Sequence, residues 1–349
     1  MHMAADRNVP PLKIAIIGCG AVTELGHLPA AARVDDVQVT ALIDKNLPRA
    51  ESFARRYNIR HVADDFTKAI DKAEAAIVAL PHFLHAPVSV PLLQRGFHVL
   101  VEKPMAMSTQ ECDAMIRAAK QGRATLAVGL MRRFQRAAQF TKTILDSQML
   151  GPIESFDIRD GFVYAWPVVS DSMFRKETAG GGVLIDFGSH AIDTMLWWFG
   201  DVSSFAYRDD SFGGVEADCE LQVVMKNGPR GVVEFSRTRD MRKTAIIRGK
   251  HATLEVSLHA NRYWLRPTGI KLNSVADILS VDPKLQRDQS YEDLMTEQLI
   301  DWTCAIRSGV APRMSGPEGR RSLALIEACY SERKPLNLPW LRPATEVTR

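Results

Sequence analysis

Two side chains in the stretch GGGVLIDFGSHAID, residues 180–193, have the types and spacing for proton chemistry. Asp186 and His190 are four positions apart, so on a helix they share a face. Histidine titrates near neutral pH and serves as a general acid or base. A carboxylate beside it can orient a substrate and tune the ring. A third group fits the same chemistry. Lys103, in VEKP, carries an ammonium that would stabilise negative charge developing on an oxygen. Proton transfer at a hydroxyl or carbonyl oxygen asks for such a set: a base for the proton and a cation for the oxygen. On this reading His190 is the general acid/base, Lys103 the oxygen polariser or proton relay, and Asp186 the orienting partner.

Helical arithmetic supports the grouping. With Asp186 at 0° and about 100° per residue, His190 falls at about 40°, Trp197 at about 20° and Asp193 at about 340°. The residues Leu184, Ile185, Phe187, Ala191, Ile192, Met195, Leu196, Trp198 and Phe199 fill the opposite side. The narrow stripe has no Lys, Glu or Arg, which fits a lined cleft better than a solvated face. Asp193 is expected in the site or directly behind it. Gly188 falls inside the apolar arc, so it is expected to pack closely on a sheet. A glycine there costs about 1 kcal/mol against alanine, and packing must offset it. The glycines at 180–182 read as the loop that enters the helix.

The elements around these groups fall into two halves. Up to residue 130, short apolar runs (KIAIIG, VQVTALID, AAIVALP, HVLVEKP, TLAVGL) alternate with helical stretches such as HLPAAARV and PRAESFARRYN. That rhythm predicts βαβ units and a parallel, doubly wound sheet. From about residue 152 the pattern changes. IESFDIRDGFVY is long and partly alternating. ELQVVMKNGPRGVVEFSRT and TAIIRGKHATLEVSL read as hairpins around Asn227-Gly228 and Gly249-Lys250. Two late helices follow, YEDLMTEQLIDWTCAIRSG and GPEGRRSLALIEACYSER. The expected fold is α/β: residues 1–130 form a nucleotide-binding domain, and residues 131–349 a second domain on an open, mainly antiparallel sheet.

Strand ends then mark the candidate cofactor site, because open α/β sheets bind ligands beyond the carboxyl ends of their strands. Gly18-Cys19-Gly20 follows the first strand, with Ala21 and Val22 opening the next helix. Gly18 permits the tight turn, and Gly20 lets the backbone approach a pyrophosphate. The usual third glycine is replaced by Thr23. The second strand ends in Asp44, which would accept hydrogen bonds from a ribose 2′-hydroxyl and repel a 2′-phosphate. NAD is therefore expected over NADP, with the neighbouring Lys45 as the opposing signal. Two further strand ends are Leu80-Pro81-His82 and Glu102-Lys103-Pro104. Pro104 keeps Lys103 out of the helical region and aims it at the mouth of the cleft. His82 and His85 are three apart, but no third ligand has a matching spacing, so no metal is expected.

Composition narrows the class. The chain has 349 residues, 46% hydrophobic and 24% charged, with a net charge of +3. That balance suggests neither nucleic acid nor membrane as a partner. Short basic clusters such as Arg320-Arg321 read as solvated surface. Five scattered cysteines without a Cys-x-x-Cys pair fit a reducing compartment. The first residues lack the apolar core of a signal peptide, so a cytoplasmic protein is expected.

Together, GCGAV after the first strand, Asp44 after the second, VEKP, and GGGVLIDFGSHAID resemble the Gfo/Idh/MocA oxidoreductases, which include glucose–fructose oxidoreductase and inositol 2-dehydrogenases. The resemblance runs from Lys13 to about Tyr330. It implies an N-terminal Rossmann domain, a C-terminal α/β domain with an open antiparallel sheet, and an NAD(P) cofactor. It also implies a sugar, polyol or sugar-nucleotide substrate, and a homodimer or homotetramer joined through the open sheet. Lys103, Asp186 and His190 match the family's catalytic group. Gly18, Gly20 and Asp44 match cofactor positions, and Glu102 and His85 match positions that line the nicotinamide pocket.

Substrate contacts are expected from DGFVYAWP, residues 160–167, and LMRRFQ, residues 130–135. Tyr164 and Trp166 offer faces for a sugar ring, and Arg132 or Arg133 would meet a phosphate of a sugar nucleotide. Two other functions stay open at this point. One is a glycosidase that uses bound NAD in transient oxidation and elimination. The other is a non-catalytic NAD-binding regulator, which would not need Lys103, Asp186 and His190 intact.

Overall fold

The computed structural model describes residues 9–68, 70–268, 276–277 and 287–336. The first sheet has six strands: β1 (Leu12–Ile17), β2 (Val37–Ile43), β3 (His61–Ala63), β4 (Ala75–Val78), β5 (His98–Val101) and β6 (Leu126–Val128). Their order is β3-β2-β1-β4-β5-β6, with every pair parallel. The apolar runs are buried on both faces, as parallel strands between helices require; all of β4 is inaccessible. The order reverses between β1 and β4, and a crevice opens there at the carboxyl ends.

The helix expected at HLPAAARV begins earlier, as a π-helical turn at Thr23–His27, and continues as α1 (Leu28–Ala31). It stops short of Val34 because the chain turns there into β2, with Val37 N–H donating to the Val34 carbonyl. α2 (Leu47–Tyr57) starts on an Asn46 cap that accepts from Arg49 N–H. α3 (His85–Gln94) and α4 (Thr109–Gly122) complete the layer, the latter capped by Ser108.

The chain crosses to the second domain through α5 (Arg136–Asp146). Its sheet contains β7 (Ile153–Gly161), β8 (Val202–Asp209), β9 (Asp218–Met225), β10 (Arg230–Ser236), β11 (Thr244–Gly249), β12 (Ala252–Ser257), β13 (Tyr263–Pro267), β14 (Ala276–Asp277) and β15 (Lys334–Pro335). The order is β14-β13-β12-β11-β7-β10-β9-β8-β15. Neighbours are antiparallel except β7 with β10 and β8 with β15. Both expected hairpins form, β9 with β10 and β11 with β12.

Between β7 and β8 lie α6 (Lys176–Ala179), α7 (Val183–Asp186) and α8 (Gly188–Phe199). Phe187 separates the last two yet keeps helical angles, φ −80° and ψ −42°. α8 lies on the sheet, with Phe199 stacked on Phe156 at 4.2 Å between ring centres. Gly188 faces that sheet as expected: a Cβ there would come within 2.9 Å of the Phe235 ring.

Two helices return to the first domain. α9 (Tyr291–Ser308) opens with a capping box between Ser290 and Asp293. It buries Met295, Leu299 and Trp302 in one cluster with Ile14, Ile16 and Leu28. α10 (Gly316–Ser331) packs against α4 and α8 and so links the two domains.

Candidate active site

A cavity of about 740 Å³ lies between the two sheets. Its first wall comes from strand ends. Gly18 turns the chain at φ +102°, and a Cβ there would sit 2.1 Å from the Ala79 carbonyl oxygen. Thr23, in place of a third glycine, is fully buried, and its hydroxyl donates to the Gly18 carbonyl at 2.6 Å. Gly20 differs: a Cβ there would meet nothing nearer than Val169 Cγ2 at 3.9 Å. The backbone at Gly20 therefore faces open cavity, with Ala21 and Val22 beside it.

Asp44 lines the same wall. Its carboxylate accepts from Cys19 N–H and Asn46 N–H, both at 2.7 Å, and from Arg49 at 3.2 Å. Burial, and then the Asp44 charge, push the Cys19 thiol up to about 12, so it stays protonated. Leu80 and Pro81 also line the cavity. His85 does not, which corrects the expectation drawn for it. It is fully buried, with Nδ1 2.8 Å from the Pro104 carbonyl and Nε2 2.8 Å from the Leu80 carbonyl. The ring ties the β4 turn to the segment after β5. His82 lines the cavity instead, bonded through Nδ1 to the Ala179 carbonyl at 2.8 Å. Burial, then the charge of His85, lower its pKa to about 4.

Glu102 and Lys103 follow β5. Glu102 is buried, accepts from Lys103 N–H, and pairs with His27 Nε2 at 2.9 Å. Burial alone would raise its carboxyl. The hydrogen bond and charge of His27, with Lys103, outweigh that and lower it. The π-helical turn delivers His27 to this place, a contact without a local sequence signature.

Lys103 reaches across to the second domain. Its Nζ lies 2.6 Å from Asp186 Oδ1 and 3.0 Å from the Asp186 carbonyl. The Lys103–Pro104 peptide is cis. Arg237 donates to the other Asp186 oxygen and lies over the Tyr164 ring, 5.2 Å from its centre. Burial disfavours the Asp186 carboxylate, but the charges of Lys103 and Arg237 prevail and hold it far below the usual range. Asp186 thus orients Lys103 and Arg237, where the sequence pointed to the histidine ring. His190 lines the same cavity, and its buried Nδ1 has no partner among the described residues. Burial first, then the charges of Lys103 and Arg132, keep His190 well below its usual pKa, so the ring is neutral at neutral pH. The amides that open α7 are held by buried Glu216, which accepts from Gly182 N–H at 2.8 Å and Leu184 N–H at 3.0 Å.

The polar stripe of the helix divides. Asp186 and His190 line the cavity, but Asp193 and Trp197 face Arg133. Arg133 donates to both Asp193 oxygens at 2.7 Å and to Glu318 at 2.5 Å. Arg133 and Asp193 therefore lie behind the cavity, which corrects the phosphate contact expected of Arg133 and, of the two places expected for Asp193, gives the one directly behind the site and not a substrate contact. Their charges satisfy each other in a buried place. Arg132, one residue earlier, points into the cavity. It pairs with fully buried Asp160 at 3.0 Å and lies over the Phe187 ring, 5.1 Å from its centre. His259 Nε2 is 2.8 Å from the other Asp160 oxygen. Tyr164 and Trp166 also line the cavity.

Sequence reasoning missed Arg237, His259, His27 and Arg49. The first two had a usable signal. β10 runs parallel to β7, and β12 runs in that direction too, because β11 opposes both β7 and β12. These three strands deliver Asp160, Arg237 and His259 from their carboxyl ends to one cleft. The strand-end rule therefore applied to the second sheet as well.

Residues 12–130 match the family model described as oxidoreductase family, NAD-binding Rossmann fold, and residues 138–255 match the GFO/IDH/MocA C-terminal domain. The two matches together span more than half of the chain. The scyllo-inositol 2-dehydrogenase (NADP(+)) IolU of Bacillus subtilis is 27% identical over 304 residues, 82% of this chain and 88% of that protein. The D-glucoside 3-dehydrogenase of Escherichia coli is 30% identical over 203 residues, 57% of each protein. A levoglucosan dehydrogenase solved with NADH and levoglucosan superposes with a TM-score of 0.83 over 92% of this chain and 97% of that one. At 21% identity that last likeness is one of fold. The chain belongs to the GFO/IDH/MocA oxidoreductase family, whose N-terminal domain is an NAD-binding Rossmann fold.

Proposed function

We propose that this protein is a dehydrogenase that oxidises a secondary alcohol of a sugar, polyol or sugar nucleotide, with NAD as cofactor. The observation that carries this reading is one juxtaposition. Lys103 from the first domain meets Asp186 from the second at 2.6 Å, and His190 lies one turn on in the same cavity as Gly18 and Gly20.

The residues present fit the cofactor. Open space at Gly20 suits a diphosphate, and Asp44 at the end of β2 suits a ribose diol. Ala21, Val22, Leu80, Pro81 and Glu102 would line the rest of its seat. Bound there, NAD would supply the hydride acceptor. His190, neutral and lining the cavity, accepts the proton of the reacting hydroxyl on its ring. Lys103 donates to that oxygen and stabilises its developing charge. Asp186 keeps the ammonium in place, with Arg237 on its other side. Tyr164 and Trp166 supply ring faces, and Arg132 a donor.

NAD is favoured over NADP by the Asp44 carboxylate; Lys45 and Arg49, also at the cavity, pull the other way. We further propose a division near residue 130, with α9 and α10 of the second domain completing the first. We also propose a cytoplasmic homodimer or homotetramer joined through the open sheet. Among the described residues no helix is long and apolar enough to cross a membrane.

A panel of free sugars, inositols, glycosides and nucleotide sugars, each with NAD and with NADP, tests the reading. Reduced cofactor and a carbonyl product identified by mass are expected. Glycoside cleavage without reduced cofactor would instead support the glycosidase, and neither event would support the regulator.

A further inference from the structure

Besides His190 and His82, the cavity carries a third histidine, which the reaction does not use. His259 follows β12, its side chain is 41% exposed, and it lines the cavity that holds His190. Its Nε2 lies 2.8 Å and 3.0 Å from the two oxygens of Asp160, which is fully buried. An ionised carboxylate only accepts, so Nε2 carries a hydrogen, and a ring with that one hydrogen leaves Nδ1 as an acceptor. Asp160 also binds Arg132 at 3.0 Å, and the Phe187 ring lies parallel to the imidazole within 12°. The ring is thus fixed by a buried anchor on one side and an aromatic face on another.

The hydrogen-bond balance of the cavity gives this geometry a purpose. A hydroxyl both donates and accepts, so a polyhydroxylated substrate needs acceptors as well as donors. Donors are plentiful: Lys103, Arg132 and Arg237. The carboxylates are already engaged. Asp186 holds Lys103 and Arg237, Asp160 holds Arg132 and His259, and Glu102 holds His27. His190 receives the hydroxyl that reacts. A second hydroxyl needs another acceptor, and the free nitrogen of His259 is one.

We propose that His259, oriented by Asp160, accepts a hydrogen bond from a substrate hydroxyl other than the one oxidised, with Arg132 donating beside it. The inference rests on the sugar-dehydrogenase reading and narrows it. The substrate carries at least two hydroxyls, one at the reacting carbon and one that selects the pose. A simple alcohol or a monohydroxy acid lacks the second.

Calorimetric binding to the NADH-saturated protein separates this from the reaction itself. The probes are methyl α-D-glucopyranoside, its monodeoxy analogues and scyllo-inositol. In the wild type, deleting the hydroxyl that meets His259 is expected to weaken binding about tenfold, the size of one hydrogen bond. In His259→Leu that penalty is expected to fall to about twofold. The penalties for the other hydroxyls and the NADH affinity are expected to stay unchanged. His259→Asn, which keeps an acceptor near the Nδ1 position, is expected to recover part of the penalty. KM for a turned-over sugar should rise in His259→Leu with kcat nearly constant. Equal deoxy penalties in wild type and His259→Leu would overturn the proposal. So would a fall in kcat at constant KM, or no binding of any probe to the wild type. Normal binding without reduced cofactor from any probe would overturn the dehydrogenase reading alone.

Discussion

Lys103 and Asp186 are 83 positions apart in the chain and 2.6 Å apart in space. The contact joins the end of β5 to the end of α7, so it forms only when both sheets are built and docked. Asp186 is also the shared partner of Lys103 and Arg237. Replacing it with Asn would leave two cations facing each other with no anion between them. Asp186→Asn is expected to lower kcat by about 10²- to 10³-fold through a misplaced Lys103. Initial rates of NADH formation, at saturating substrate from the panel, check this.

On the proposed reading His190 carries the proton step. His190→Ala is expected to lower kcat by about 10²- to 10⁴-fold at neutral pH. Its NADH affinity, read by fluorescence titration, should remain that of the wild type. Turnover close to wild type would remove His190 from the acid/base role.

On the same reading Asp44 selects the cofactor. Asp44→Ser removes the charge that would repel a 2′-phosphate and frees Arg49 from its 3.2 Å contact. The ratio of kcat/KM for NAD to that for NADP is expected to drop about 10- to 100-fold, by loss with NAD and gain with NADP. An unchanged ratio would mean that the ribose is read elsewhere.

The Arg133–Asp193 pair is structural. Asp193→Ala leaves a buried guanidinium with only the partly exposed Glu318 as a charged partner. A loss of about 3–5 kcal/mol is expected in chemical denaturation. KM measured well below the new melting temperature should match wild type; a large rise in KM at retained stability would return this pair to the substrate site.

Stability should fall on acidification. His82 is buried, and its folded pKa is about 4 against an ordinary value of 6.5. Above pH 6.5 the ring is neutral whether folded or unfolded, so nothing opposes folding. Between 6.5 and about 4 the unfolded chain takes up the proton and the folded one does not, and stability is lost progressively. The loss for His82 is about 3 kcal/mol. His85 and His190, also lowered by burial, add to it in the same direction. The denaturation midpoint should be lower at pH 5 than at pH 7, and His82→Asn should narrow that gap.

Local pattern made the first domain legible, because a buried parallel strand is an apolar run and its end is marked by Gly, Asp or Pro. The strands, the glycine turn, Asp44, Lys103 and the Asp186–His190 stripe all carried such marks. The misreadings came where direction depends on packing. Arg132 and Arg133 are neighbours on one tight turn, yet one enters the cavity and the other turns to Asp193. His85 opens the helix that follows β4, but two backbone carbonyls claim its ring. The stripe on α8 is longer than the cleft, so its far half meets Arg133. Arg237 and His259 needed knowledge of which antiparallel strands share a direction, which is a property of pairing and not of any one segment.

The return of α9 has a consequence for how the chain is made. Trp302 is wholly enclosed among side chains of the first sheet, close to three hundred positions after β1. As the chain leaves the ribosome, the nucleotide-binding domain emerges first but lacks that plug until most of the protein has been translated. The half that starts first is the half that closes last, and until then its apolar underside is surface for a chaperone to hold.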